Sequence, residues 1–222
     1  MKPRINPIFA TQTKTCKPNA IGDACFRDER MSEKRRMELL FRKQSAAEFI
    51  RHLTTGSQLF GFTKGQFSLI DVIQAVTKDI GKCELTMSTW TAAKADLLEL
   101  QNMMETGAFS SLRMLLDFSF QRRQPSLLKT IRDRYGPESV VITRNHAKFC
   151  LMKTANLRIV IRTSMNLNFN PRLEDLDVKE DPQLFEFIDG IVSQFFSSHD
   201  PKTQAAKTIK ELGSQFTLFD PK

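Results

Sequence analysis

No C-x-x-C pair occurs among the four cysteines of this 222-residue chain, and Cys16 and Cys25 stand too far apart, without a nearby histidine, for a zinc knuckle. Cys16, Cys25, Cys83 and Cys150 therefore read as reduced thiols rather than as metal ligands or a disulfide framework. Nor does any run approach the roughly 18 apolar residues that span a bilayer, and no apolar stretch of the secretory kind follows the first charges. The expectation is a cytoplasmic protein with no membrane partner. Internal repeats are absent, and the length suits one ordinary domain with a core, plus a tail.

Acidic residues are in deficit. Lys and Arg outnumber Asp and Glu by 33 to 25, a formal net charge of +8 that favours anionic partners. The excess is uneven, because residues 1–53 hold twelve basic and six acidic side chains, and so six of the eight net charges. Such asymmetry is the footprint of a nucleic-acid binder. Lys34, Arg35, Arg36, Arg42 and Lys43 are the candidate phosphate contacts, with a solvated basic face as the competing reading.

Along the chain, residues 1–26 carry Pro3, Pro7 and Pro18 without an apolar period and read as a flexible leader. In 27–55, Met37, Leu40, Phe41, Phe49, Ile50 and Leu53 recur at helical spacing among Arg and Lys, which predicts a basic amphipathic helical arm. Residues 56–198 read as the domain and 199–222 as a C-terminal tail. Within the domain the patterns predict helices over 69–78, 92–106, 125–135 and 182–196, and strands over 83–88, 112–118, 140–143, 146–152 and 158–163. Helices between successive strands argue for crossover connections, so the fold class is α/β, a mixed and largely parallel sheet flanked by helices. The acidic stretch Glu174, Asp175, Asp177, Glu180 and Asp181 reads as a solvated loop, with Glu174 set apart below.

One short segment concentrates the chemistry. His146 and Lys148 are two residues apart on a predicted strand, so they share a face, and Ser164 and Asn166 repeat that spacing on the returning strand. A hairpin centred on Asn156 would set His146 opposite Asn166 and Lys148 opposite Ser164, whereas a slip of one residue would scatter them. Together they offer what phosphodiester cleavage needs: a nucleophile, and cationic and hydrogen-bonding groups for the phosphoryl oxygens. The other histidines, His52 and His199, have no such companions, and Trp90 reads as packing, with base stacking as the alternative.

The pattern His146-Ala147-Lys148, an apolar strand, then Thr163-Ser164-Met165-Asn166 resembles the H-x-K … G-S-x-N signature of the phospholipase D superfamily. The run from Asn166 to Glu174 is similar to that of phage- and prophage-encoded members. The resemblance implies His146 as a nucleophile that forms a phosphohistidine, Lys148 and Asn166 as phosphate clamps, Ser164 as a supporting donor and Glu174 as the carboxylate that orients the imidazole. It implies no metal and no cofactor. Lys153 stands where the family has Asp, Thr163 stands where it has Gly, and the halves lie about three residues further apart than usual. Because the chain holds one copy of a motif that the family's site uses twice, the resemblance implies a homodimer sharing one active site. The expected function is a metal-independent phosphodiesterase or nuclease acting on DNA. The alternative is a catalytically inactive DNA-binding or phage assembly module on the same fold.

Overall fold

In the computed structural model the described residues are 25–29, 35–39 and 45–197. They form one nine-stranded sheet flanked by helices. In chain order its elements are β1 (Cys25–Glu29), β2 (Arg35–Leu39), α1 (Ala46–Phe49), β3 (Gln58–Thr63), α2 (Leu69–Ile80), β4 (Cys83–Thr89), α3 (Lys94–Glu105) and β5 (Phe109–Asp117). There follow α4 (Phe118–Arg123), α5 (Pro125–Tyr135), β6 (Val140–Thr143), β7 (Phe149–Lys153), β8 (Arg158–Thr163), β9 (Glu174–Glu180) and α6 (Pro182–Ser197). Across the sheet the strands lie in the order β2-β1-β3-β9-β8-β7-β4-β5-β6.

The α/β class is as the patterns predict, but the balance of pairing is not largely parallel. Only β4–β5 and β5–β6 pair in parallel, through the α3 and the α4–α5 crossovers, and every other pairing is antiparallel. The reason is the connections: the chain between β7 and β8, and between β8 and β9, contains no crossover helix, so those strands must return antiparallel.

Two further expectations are corrected. Part of the basic arm is strand rather than helix: residues 25–29 and 35–39 pair as a hairpin, and β1 continues the sheet beyond β3. An unpaired edge of β3 presents a row of backbone donors and acceptors that a strand satisfies and a helix cannot. Arg35 and Arg36 lie on β2, whereas Lys34, Arg42 and Lys43, like the leader's residues 1–24 and the tail from 198 onward, lie outside the described residues. Ala46, Ile50 and Leu53, which precede the expected domain start at 56, are buried in the same core as the strands.

The acidic stretch after Glu174 is the second correction. It is no loop but β9, wedged between β3 and β8, because Leu176 and Val178 alternate with polar residues and are 1% and 0% exposed. Period-two burial with charges on the opposite face is a strand signal that the density of carboxylates obscures. We expect Leu176→Ala to cost about 2–5 kcal/mol, measured by chemical denaturation. A loss within the ±0.5 kcal/mol or so typical of surface sites would return the segment to a solvated loop.

The main core lies on one sheet face, where Leu85, Met87, Met114, Leu116, Cys150, Met152, Ile159 and Ile161 meet the buried side of α2, namely Leu69, Val72, Ile73 and Val76, and Leu97 and Leu100 of α3. Cys83 and Cys150 are buried free thiols, and burial pushes the Cys83 pKa up to about 11. On the other face α6 packs Phe185 on Leu151 and Val160, and Asp189 pairs with Arg113 of β5. The apolar side chains of α6 are only partly buried: Phe185 and Val192 are covered, while Ile188, Ile191 and Phe195 line a groove.

Candidate active site

The strand directions fix where the chemistry gathers. β3, β4, β5, β6 and β8 all run one way and end at one edge of the sheet, the edge at which β7 and β9 begin. The segments that follow or precede these ends carry Trp90, Asp117, His146, Lys148, Ser164, Asn166 and Glu174. In α/β sheets the loops beyond the strand ends are the usual ligand-binding region.

His146 and Lys148 do not sit on a strand. They belong to the extended 144–148 segment before β7, and the cross-strand register differs from the expected one by a single residue. Phe149 faces Arg162 and Lys153 faces Arg158, so the hairpin is centred between Ala155 and Asn156. Thr154 decides this: its N–H bonds Leu157 O at 3.1 Å, and its hydroxyl accepts from the N–H groups of Asn156 and Leu157, which closes a two-residue loop. Direct pairing of His146 with Asn166 and of Lys148 with Ser164 is thereby excluded. The ladder instead ends where Thr163 N–H meets Lys148 O at 3.4 Å, and loops assemble the site beyond that point.

The residue between the imidazole and the amine is held on both sides. Buried Asn145 accepts from the Ala147 N–H at 3.0 Å, while its Nδ2 donates to Ser88 Oγ at 2.9 Å and to Leu115 O at 3.1 Å. Ser88 Oγ in turn donates to Ala147 O at 2.9 Å. With Ala147 clamped, His146 and Lys148 project outward together: Lys148 Nζ lies 2.9 Å from His146 O and 3.3 Å from His146 Nδ1. His146 itself is exposed.

The returning chain brings the hydroxyl and the carboxylate. Thr163 Oγ1 donates to Asp175 O and accepts from Met165 N–H at 3.0 Å, so Thr163 ties the end of β8 to the start of β9. Ser164 Oγ donates to Glu174 and accepts from Asp175 N–H at 3.0 Å. Glu174 thus bonds Ser164 rather than the imidazole, contrary to the orienting role that the resemblance implies, and its charge faces Lys148. Burial pushes the Lys148 ammonium below the usual lysine range, and Glu174 opposes that shift.

Asn166 is the member left apart. Its Oδ1 is buried without a partner among the described residues, and its neighbour Leu167 is pinned to the β4–α3 loop by bonds to Thr91 O and Thr89 Oγ1 and from Ala93 N–H. Lys153, where the family has Asp, lies at the far end of β7 and pairs across the sheet with Glu84 at 3.8 Å, so its charge is balanced away from the site. A groove of about 770 Å³ runs from His146, Lys148 and Ser164 past Arg144 and Arg162 to the Ile188, Ile191 and Phe195 side of α6.

Asp117 and Asn145 escape a motif reading, although both do positioning work. Asp117 caps α4 by accepting from the Ser119 N–H and hydroxyl, and its other oxygen accepts from Asn145 N–H at 3.2 Å. A strand-final Asp with Ser two residues later is a cap signal legible in sequence. Burial works to raise the Asp117 pKa, but hydrogen bonds from Ser119, Asn145 and Phe118 outweigh it and hold the carboxyl below its usual range. A depressed pKa gives stability that is present above the unfolded value of about 3.9 and lost as pH falls through the folded value. Asp117→Ala should therefore cost about 1 kcal/mol at neutral pH and progressively less in acid, compared by urea midpoints at pH 7 and pH 3. A gap independent of pH would contradict this.

No family model and no curated protein matches the chain. Among solved structures it is similar to a phospholipase D family member, Nuc, from Salmonella typhimurium, at 12% identity and a TM-score of 0.45, over 63% of this chain and 93% of that one.

Proposed function

We propose that the protein cleaves DNA or other nucleic-acid phosphodiesters through a phosphohistidine on His146, in a site completed by a second copy of the chain. The observation that carries this reading is the clamp on Ala147, which holds an exposed imidazole and an amine side by side at the sheet edge, next to the Ser164–Glu174 pair. The motif resemblance supports the assignment of roles.

In the resting arrangement the Lys148 ammonium points at His146 Nδ1, which favours a proton on Nε2. A phosphoryl oxygen entering between them draws Lys148 away by offering a full negative charge, and with Nδ1 uncovered the ring changes tautomer through solvent, losing the Nε2 proton to water while Nδ1 takes one up, which frees the Nε2 lone pair. Nε2 attacks phosphorus, the bond to the leaving oxygen breaks, and that oxygen takes a proton from the imidazolium of the second copy's His146. Water next attacks the phosphohistidine, gives its proton to the same second imidazole and restores His146. A lone protomer lacks that acid. Exposure of His146 is what lets another copy approach it. The basic residues Lys34, Arg35, Arg36, Arg42 and Lys43 would extend the contact with the polyanion, so binding should weaken steeply with salt.

The test is incubation of labelled single- and double-stranded DNA with the protein in EDTA, with its oligomeric state measured by sedimentation. Cleavage by a dimer is expected. Salt-sensitive binding without cleavage would overturn the enzymatic reading in favour of a non-catalytic DNA-binding or assembly module, a reading that the Lys153 and Thr163 substitutions favour.

A further inference from the structure

Trp90 is the chain's single tryptophan, and it is not core: it remains 38% exposed on the loop after β4, with its ring centroid 5.6 Å from that of His146. Arg123 braces the residue through both its ring and its backbone. Arg123 at the end of α4 lies 5.3 Å from the ring centroid, donates to Trp90 O at 3.3 Å and is itself fixed by Ser119 Oγ at 2.7 Å. Ser119 is bound to Asp117, whose other oxygen holds the backbone of the His146 segment, so one carboxylate ties the indole and the imidazole to a common frame. The loop backbone is further tied by Thr89 Oγ1 to Thr91 O at 2.8 Å and by Leu167 N–H to Thr91 O at 3.2 Å. Phe118, at the same edge, is 58% exposed.

An exposed indole braced by a guanidinium beside an exposed imidazole offers a flat apolar surface, and a planar ring is the ligand whose shape matches it. A nucleotide whose phosphorus sits at His146 carries its base within reach of that surface. We infer that Trp90, braced by Arg123, is a stacking platform for a nucleobase flanking the reacting phosphodiester. The inference rests on the phosphodiester reading and narrows it to nucleic acid with an unpaired base, because a base stacked on Trp90 has left its duplex neighbours. Base–aromatic stacking of this kind is sequence-tolerant, so the platform selects for bases over acyl chains or bare sugar phosphates without selecting among bases.

The single tryptophan makes the site its own reporter. The full-length His146→Ala variant, which keeps Trp90 and should bind without cleaving, is titrated in EDTA with a short single-stranded oligonucleotide and with an abasic oligonucleotide of the same length, with and without Trp90→Ala in the same chain, while Trp90 fluorescence and the anisotropy of a labelled oligonucleotide are followed. The base-bearing strand should quench Trp90 and the abasic strand should not, and Trp90→Ala should weaken binding of the former by about 5- to 150-fold with no change for the latter. Equal quenching and equal affinity for both strands would overturn the platform while leaving the phosphodiester reading in place. Binding of neither strand would overturn both. The titration of the chain that keeps Trp90 compares the two strands by itself, so the result does not depend on whether Trp90→Ala folds.

Discussion

Replacing His146 by alanine is expected to abolish strand cleavage, with a loss of at least about 10³-fold, while leaving the thermal midpoint unchanged. The magnitude follows from the imidazole's double duty in a symmetric site. In the proposed dimer each His146 would serve as the nucleophile for one strand orientation and the acid for the other, so a dimer of variant chains would lose both. The unchanged stability follows from its surroundings: His146 is exposed, and its segment is anchored by Asn145 and Ala147, which the substitution does not touch. Mixing wild type with the variant should then leave heterodimers that hold a single imidazole, lack either the nucleophile or the acid, and fail to cleave. Radiolabelled substrate quenched in alkali should leave phosphate on the wild-type chain and none on His146→Ala. Full cleavage by the variant would mean that the nucleophile lies elsewhere.

Lys148→Met should show the opposite signs in stability and function. Burial depresses the Lys148 pKa, so between that value and the unfolded value of about 10.4 the unfolded chain binds the extra proton. Stability therefore rises with pH through that window, and below it the protein carries the cost of a partly buried ammonium. An isosteric apolar side chain removes the cost, so the midpoint should hold or rise, while cleavage falls by about 10²-fold or more for want of a charge on the phosphoryl oxygens. A companion variant gives the pH signature. Glu174 raises the Lys148 pKa, so Glu174→Gln lets it fall further and should move the alkaline limb of the pH–rate profile to lower pH. An unmoved limb would show that the ammonium is not the group titrating there.

The groups in these predictions differ in how far they are legible without coordinates. His146 and Lys148 stand out because a rare imidazole and an amine share an i, i+2 spacing, and their companionship survives folding at 3.3 Å. Asn145 carries no pattern, since a single buried carboxamide that satisfies two strands and its own segment looks, in the chain, like any polar residue before a strand. Trp90 is ambiguous for a different reason: an aromatic after a strand is usually packing, and the exposure and the Arg123 contact on which the stacking proposal rests are visible only in three dimensions.

Local order was written in the chain wherever a periodic pattern met a clear stop. The helix Pro125–Tyr135 begins on a proline and ends before Gly136-Pro137, and the strands Val140–Thr143 and Arg158–Thr163 are bounded by the residues that mark them. The tertiary structure alone decided which strands neighbour one another, that an acid-rich stretch is an interior strand, and that a basic segment extends the sheet rather than standing off as a helix. It also decided the register, one residue from the symmetric guess, because Thr154 closes its turn with bonds whose geometry no spacing rule encodes. Periodicity is a property of a segment and its own backbone, whereas pairing, edge satisfaction and the company a side chain keeps are settled between segments far apart in sequence.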